Sequence, residues 1–135
     1  MKIVAINGSH KGKFGNTDKM VSAFFKGAQA AGAETLNIFL AEKEIKYCKA
    51  CKVCWFNGLG ECVIKDDMTE ILSLMEGLDI CILATPIYVD NISSRLKAFM
   101  DRLMVTISPY WEKDKNGECR HLTTSLSFSS NIPLD

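Results

Sequence analysis

The 135 residues are about one domain's worth, and 47% of them are apolar, enough for an ordinary core. Lys plus Arg and Asp plus Glu balance at 16 each, so no global field would draw the chain to nucleic acid or to an anionic membrane. No apolar run approaches the ~20 residues of a membrane span, and no repeat, low-complexity tract or linker divides the chain.

Met1-Lys2-Ile3-Val4-Ala5-Ile6 enters an apolar run directly. It shows no basic region and no long apolar stretch leading to a small-residue cleavage site, so a cytoplasmic chain is expected. Lys2 to Asn7 reads as a strand buried on both faces. The turn from Asn7 to Thr17 carries Gly8, Gly12 and Gly15, which let the backbone curl with its N–H groups inward. Ser9, Asn16 and Thr17 add side-chain donors, and Lys11 and Lys13 add charge. The positive end of the next helix points at the same place, which makes a phosphate site. The pattern is neither G-x-G-x-x-G nor Walker A, and without a Gly-Lys-Ser/Thr ending it does not suggest triphosphate hydrolysis. A plain strand-to-helix turn with a basic tip has the same composition. Asn16 or Thr17 is expected to cap a helix bearing Met20, Val21, Phe24, Phe25 and Ala28, with Gly32 as its stop. Thr35 to Leu40 reads as a second strand.

The segment from Ala41 to Lys65 is too long for an ordinary connection, since unstructured runs beyond ~12–15 residues in compact domains are usually functional. It contains four of the six cysteines, Cys48, Cys51, Cys54 and Cys62, in a C-x2-C-x2-C-x7-C run. Two-residue spacings let one short loop wrap a compact inorganic centre, as in cysteine-held iron–sulfur clusters. Zinc more often takes two separated Cys/His pairs. In a reducing compartment such cysteines bind metal or do redox chemistry rather than pair as disulfides. Lys46, Lys49 and Lys52 form a basic face that would raise a cluster's potential or steer an acidic redox partner, or is simply solvated. Trp55 and Phe56 would shield the centre from water or pack the loop.

Asp67 with Glu70 resembles a capping box, and Ile71, Leu74, Met75 and Leu78 follow at helical spacing. Ile80 to Thr85 reads as a third strand, with Cys81 a small core residue. Thr85-Pro86-Ile87-Tyr88-Val89-Asp90-Asn91-Ile92-Ser93 follows at its carboxyl end. Doubly wound sheets bind ligands there, at the switch point between the first and third strands, so this segment and the glycine-rich turn would face one ligand. Pro86 fixes the chain, and Tyr88 offers a ring to stack on a planar cofactor. A strand-to-helix connection with a half-buried tyrosine is the alternative. Ile92, Leu96, Phe99, Met100 and Leu103 mark a third helix, and Leu122 to Phe128 a fourth strand. The alternation implies an α/β fold, a parallel sheet with helices on both faces. His10 and His121 read as surface or loop residues, and Cys119 has no obvious partner.

Ser9, Asn16 and Thr17 in the glycine-rich loop, Asp66-Asp67-Met68, Thr85-Pro86-Ile87-Tyr88 and Leu96-Lys97-Ala98-Phe99-Met100-Asp101-Arg102 together resemble the NADPH-dependent FMN reductase-like flavoproteins. The cysteine run is similar to that of the iron–sulfur flavoprotein branch. The resemblance covers roughly residues 2–130. It implies a flavodoxin-like doubly wound parallel sheet in one domain over residues 1–135, with a cysteine-rich insertion at about 41–65. It implies FMN, with Ser9, Lys11, Asn16 and Thr17 on its phosphate and Pro86, Ile87, Tyr88 and Asn91 around its ring system. It also implies a 4Fe–4S cluster on Cys48, Cys51, Cys54 and Cys62, and a homo-oligomer, dimer or tetramer. Asp101 and Arg102 are expected to be structural, at a subunit contact for instance.

The implied activity is flavin-dependent oxidoreduction, passing electrons from a reduced donor (ferredoxin or NAD(P)H) to an acceptor. A cluster-free NAD(P)H:FMN or quinone reductase and a non-enzymatic FMN-binding electron carrier are the alternatives. The chain ends at Asp135, before the helix, fifth strand and last helix that such a sheet needs, so a domain truncated after the fourth strand is expected.

Overall fold

The computed structural model describes residues 1–57, 60–113, 116–117 and 119–123. Strand β1 (Lys2–Asn7) lies between β2 (Glu34–Phe39) and β3 (Ile80–Ala84), parallel to both. This is the β2-β1-β3 order of a doubly wound sheet. Alternation along β1 sorts its side chains to two faces. Ile3 and Ala5 meet Val21 and Phe25 of α1 (Asn16–Ala30). Val4 and Ile6 meet the other layer, built from α3 (Met68–Leu74) and α4 (Ser94–Arg102). Phe99, Ile71, Met68 and Leu96 are almost fully buried there. A one-turn α2 (Val53–Phe56) lies within the cysteine segment. Among the described residues, no helix is long and apolar enough to cross a membrane.

The boundaries of β1, β2 and β3 fall within one residue of those expected, but the caps do not. Gly15, not Asn16 or Thr17, is the N-cap of α1, and no side chain closes that end. A Cβ on Gly15 would stand 2.8 Å from Ser9 Oγ, so this close approach selects glycine. The far end of α1 closes as expected at Gly32 (φ +85°), where Ala33 N–H donates to Ala28 O and Gly32 N–H to Gln29 O. Asp67 precedes α3 without capping it: its carboxylate accepts from Glu44 N–H at 2.7 Å, while Glu70 pairs with Lys43 at 2.6 Å. Both acids serve the cysteine segment instead.

The expected parallel strand Leu122–Phe128 is corrected in its described part. Leu122 and Thr123 belong to β5 (Cys119–Thr123), which pairs antiparallel with β4 (Ile107–Lys113) in a separate two-stranded sheet. A nearby partner reached through a turn with Gly117 at φ +82° closes a short loop, which costs less entropy than a distant crossover. Residues 124–128 lie outside the described residues.

Two connections position the chemistry. Residues 43–67 run over the α3–α4 layer, held by a buried ion pair between Arg102 and Asp66 at 2.7 Å. Burial opposes the charge on Asp66, but the Arg102 guanidinium and the Lys46 and Met68 N–H groups prevail, holding the carboxyl below its ordinary value. Between β3 and α4, Tyr88 and Asn91 exchange backbone hydrogen bonds (2.8 and 3.0 Å) across a two-residue turn. Its central residues, Val89 and Asp90, both have positive φ (+47° and +58°). Such a turn favours Asn-Gly, and a β-branched residue there is strained.

A carboxyl held below its unfolded value contributes stability above that value and loses it as pH falls through the folded one. Urea unfolding should therefore show stability declining as pH falls below the ordinary carboxylate range, with a shallower decline in Asp66→Asn. Val89→Asn should raise thermal stability by about 1 kcal/mol by relieving the left-handed conformation.

Candidate functional site

The carboxyl ends of β1 and β3 are adjacent, and the loops leaving them meet. Asn7, fully buried at the end of β1, accepts Ser9 N–H on Oδ1 at 3.1 Å, and Ser9 Oγ accepts Lys11 N–H at 3.2 Å. The chain then makes a tight turn over Gly12–Phe14 and enters α1. Ser93 joins this loop to the next one. Its Oγ donates to Gly8 O at 2.7 Å and accepts from Leu96 N–H at 3.2 Å, capping α4, while its N–H donates to Thr85 Oγ1. A Cβ on Gly8 would stand 2.8 Å from both Ser93 Oγ and Leu96 Cβ, so glycine is needed where the loops touch.

The residues expected around a flavin are placed as follows. Ser9 is buried beneath the first loop, Lys11 and Asn16 are exposed, and Thr17 is half-buried. Thr17 lines an apolar recess of about 450 Å³ with Thr85, Met20 and Phe24. Pro86 is half-buried and Ile87 is exposed. Tyr88 and Asn91 share a groove of about 650 Å³ with His10, Ile92, Ser94 and Lys97. His10 meets the Tyr88 ring edge to face, with centroids 5.6 Å apart. Beside the groove, a smaller pocket of about 250 Å³ is lined by His10, Ser94, Lys43, Tyr47 and Arg95. The structure thus brings Tyr88 and Asn91 together, with Ser9, Asn16, Thr17 and Ile87 outside that groove. The sequence reading missed His10 as a groove residue, because only the sheet brings it beside Tyr88.

The expected sulfur ligands converge. Cys48, Cys51, Cys54 and Cys62 line one pocket together with Val63, Ile64 and Met104. Ala50 and Lys52 adopt positive φ (+51° and +57°), turning the chain between successive cysteines. Burial pushes the Cys54 thiol up, and the neighbouring Cys62, Cys51 and Cys48 add to the effect. Cys81, by contrast, packs against the core and is raised by burial alone. The open space between the four cysteines is about 20 Å³, room for about one water. Among the described residues, no group of three or more His, Cys, Asp or Glu is placed to hold a single metal ion. Four sulfur donors around one apolar pocket fit a thiolate-held cluster in kind and number. Trp55 packs the loop, its indole N–H donating to Met104 O at 2.9 Å, while Phe56 is exposed. Arg102 and Asp101, expected as a structural pair, part company: Asp101 bonds Lys97, and Arg102 turns inward.

An iron–sulfur flavoprotein of Archaeoglobus fulgidus is 40% identical over 104 residues, 77% of this chain and 46% of that protein. One from Methanosarcina thermophila is 40% identical over 102 residues, 76% of this chain and 52% of the relative. The chain therefore spans about half the length of the curated relatives it matches. In fold it is similar to RosB with a bound flavin-phosphate intermediate (TM-score 0.61, 18% identity, 77% of this chain and 42% of that one). It is likewise similar to an FMN-dependent NADH-azoreductase from Bacillus anthracis in complex with FMN (TM-score 0.56, 20% identity, 80% and 59% covered). The family described as NADPH-dependent FMN reductase matches residues 1–119, and the chain belongs to it.

Proposed function

We propose that this chain forms the FMN-binding and sulfur-rich part of a flavin-dependent oxidoreductase that moves electrons between a reduced donor and an acceptor. The observation that carries the reading is the meeting of two loops at the carboxyl ends of β1 and β3, stitched by Ser93, in a chain that also gathers four cysteines into one pocket. Membership of the family supports FMN, and the names of the curated relatives support an iron–sulfur centre.

In this reading the first turn of α1, with Asn16 and Thr17, presents its positive end to the FMN phosphate, and Lys11 adds charge from the exposed loop. Ser9 acts from beneath by fixing the backbone at Lys11. Tyr88 offers its ring face and Asn91 its amide at the groove, and the tight turn between them fixes their separation. FMN, when bound, supplies exchange between two-electron and one-electron donors. Cys48, Cys51, Cys54 and Cys62 would hold the cluster, with the apolar side chains of Ile64 and Met104 in the same pocket. No acid–base pair is required of the chain.

The partner is an acidic redox protein of the ferredoxin kind, or NAD(P)H entering the His10–Tyr88 groove, and the working unit is a homo-oligomer. Lys49 and Lys52 are exposed and line the sulfur pocket, whereas Lys46 leans toward Glu44 at 3.7 Å. Opposite charge on a partner would speed encounter there, and salt would screen it.

Anaerobically purified protein should show a flavin spectrum over a broad brown absorbance, with iron and acid-labile sulfide in near-equal amounts. A yellow protein without iron would support the cluster-free reductase, and a colourless one would sink the flavin reading. Replacing Lys49 and Lys52 together by Gln should slow reduction by ferredoxin and flatten its dependence on ionic strength. An unchanged rate and salt slope would remove the docking surface.

A further inference from the structure

Arg102 sits in the last turn of α4, 3% exposed, and its hydrogen bonds account for all but one of its donors. A guanidinium has five N–H groups. One terminal nitrogen donates to Lys46 O at 2.9 Å and Asp66 Oδ2 at 2.7 Å. The other donates to Ile64 O at 3.3 Å and Asp66 Oδ1 at 3.1 Å. The Nε–H remains, buried and without an acceptor. A buried donor without an acceptor keeps its full desolvation penalty.

Those acceptors have a pattern. Lys46 lies two residues before Cys48, and Ile64 lies two residues after Cys62. One side chain therefore clamps both ends of the cysteine segment. Arg102 and Cys62 also line the same recess, and Cys62 lines the four-cysteine pocket as well. Burial opposes the charge on Arg102, while its hydrogen bonds to Asp66 and then the nearby Cys62 favour the charged guanidinium.

We propose that Arg102 is a positioning residue for the sulfur centre, its unpaired Nε–H reserved for the Cys62 sulfur when that cysteine is a thiolate ligand. This rests on the reading of the four cysteines as cluster ligands. The guanidinium holds the entry and exit of the loop at fixed separation. It also places a positive charge and a hydrogen-bond donor against one ligand sulfur. Both favour the more reduced, more negative cluster, and hydrogen bonds to sulfur are among the determinants of cluster potential. A lysine at this position would keep the charge but lack the fork that spans Lys46, Ile64 and Asp66.

The test begins with iron and sulfide in the wild-type protein. Their absence after anaerobic reconstitution would overturn the cluster reading, and this proposal with it, before any variant is made. Given a loaded wild type, the cluster midpoint potential is measured by spectroelectrochemistry in Asp66→Asn and in Asp66→Asn/Arg102→Gln, a comparison that avoids leaving a buried carboxylate unpaired. The double variant should shift to a more negative potential than the single one, with the flavin potential unchanged. Asp66→Asn/Arg102→Lys, in the same background, should fall between them, and it supplies the same reading if the Gln double variant does not retain iron. Equal cluster potentials in iron-loaded variants would overturn the role and leave Arg102 as a packing residue alone.

Discussion

Among the described residues between Lys43 and Asp67 there is one helical turn and no strand, so the course of the chain depends on what it is tied to. The buried Arg102–Asp66 pair is the main tie. Charges this deep are costly to desolvate and are tolerated when every lone pair and proton has a partner. Asp66 approaches that condition, accepting from Arg102, Lys46 N–H and Met68 N–H. Ion pairing, backbone clamping and the start of α3 are thus one network, and the cysteines hang from it.

Helix α4 connects this network to the other candidate site. Its first turn is capped by Ser93, which also holds Gly8 and Thr85, and its last turn carries Arg102. Its buried face, Leu96, Ala98 and Phe99, packs in the core, so neither end can shift without disturbing the other. Nine residues at ~1.5 Å each separate the two ends by about 14 Å.

The sheet was legible because strands buried on both faces leave continuous apolar runs, as in Ile3 to Ile6. The convergence of the cysteines was legible because their spacing is local. Arg102 was not, because its carboxylate partner is 36 residues away and its other acceptors are backbone carbonyls, which leave no mark on side-chain identity. His10 escaped for the same reason, its neighbour Tyr88 reaching it only across the paired strands. The strand Ile107–Lys113 was hidden by Pro109 and by charges at its end, features that argue against a central strand but suit a short two-stranded hairpin.

Among the described residues, the non-glycine positions with positive φ are Ala50, Lys52, Val89 and Asp90. They fall in two places, the loop between the first cysteines and the turn beside Tyr88. Each costs roughly 1–2 kcal/mol, and together they amount to a sizeable part of the ~5–15 kcal/mol that holds a typical domain folded. A laboratory selection for heat resistance alone would accumulate its first gains at these positions. It would reshape both loops while leaving the core untouched, so it would yield a sturdier scaffold that had lost its two chemical addresses.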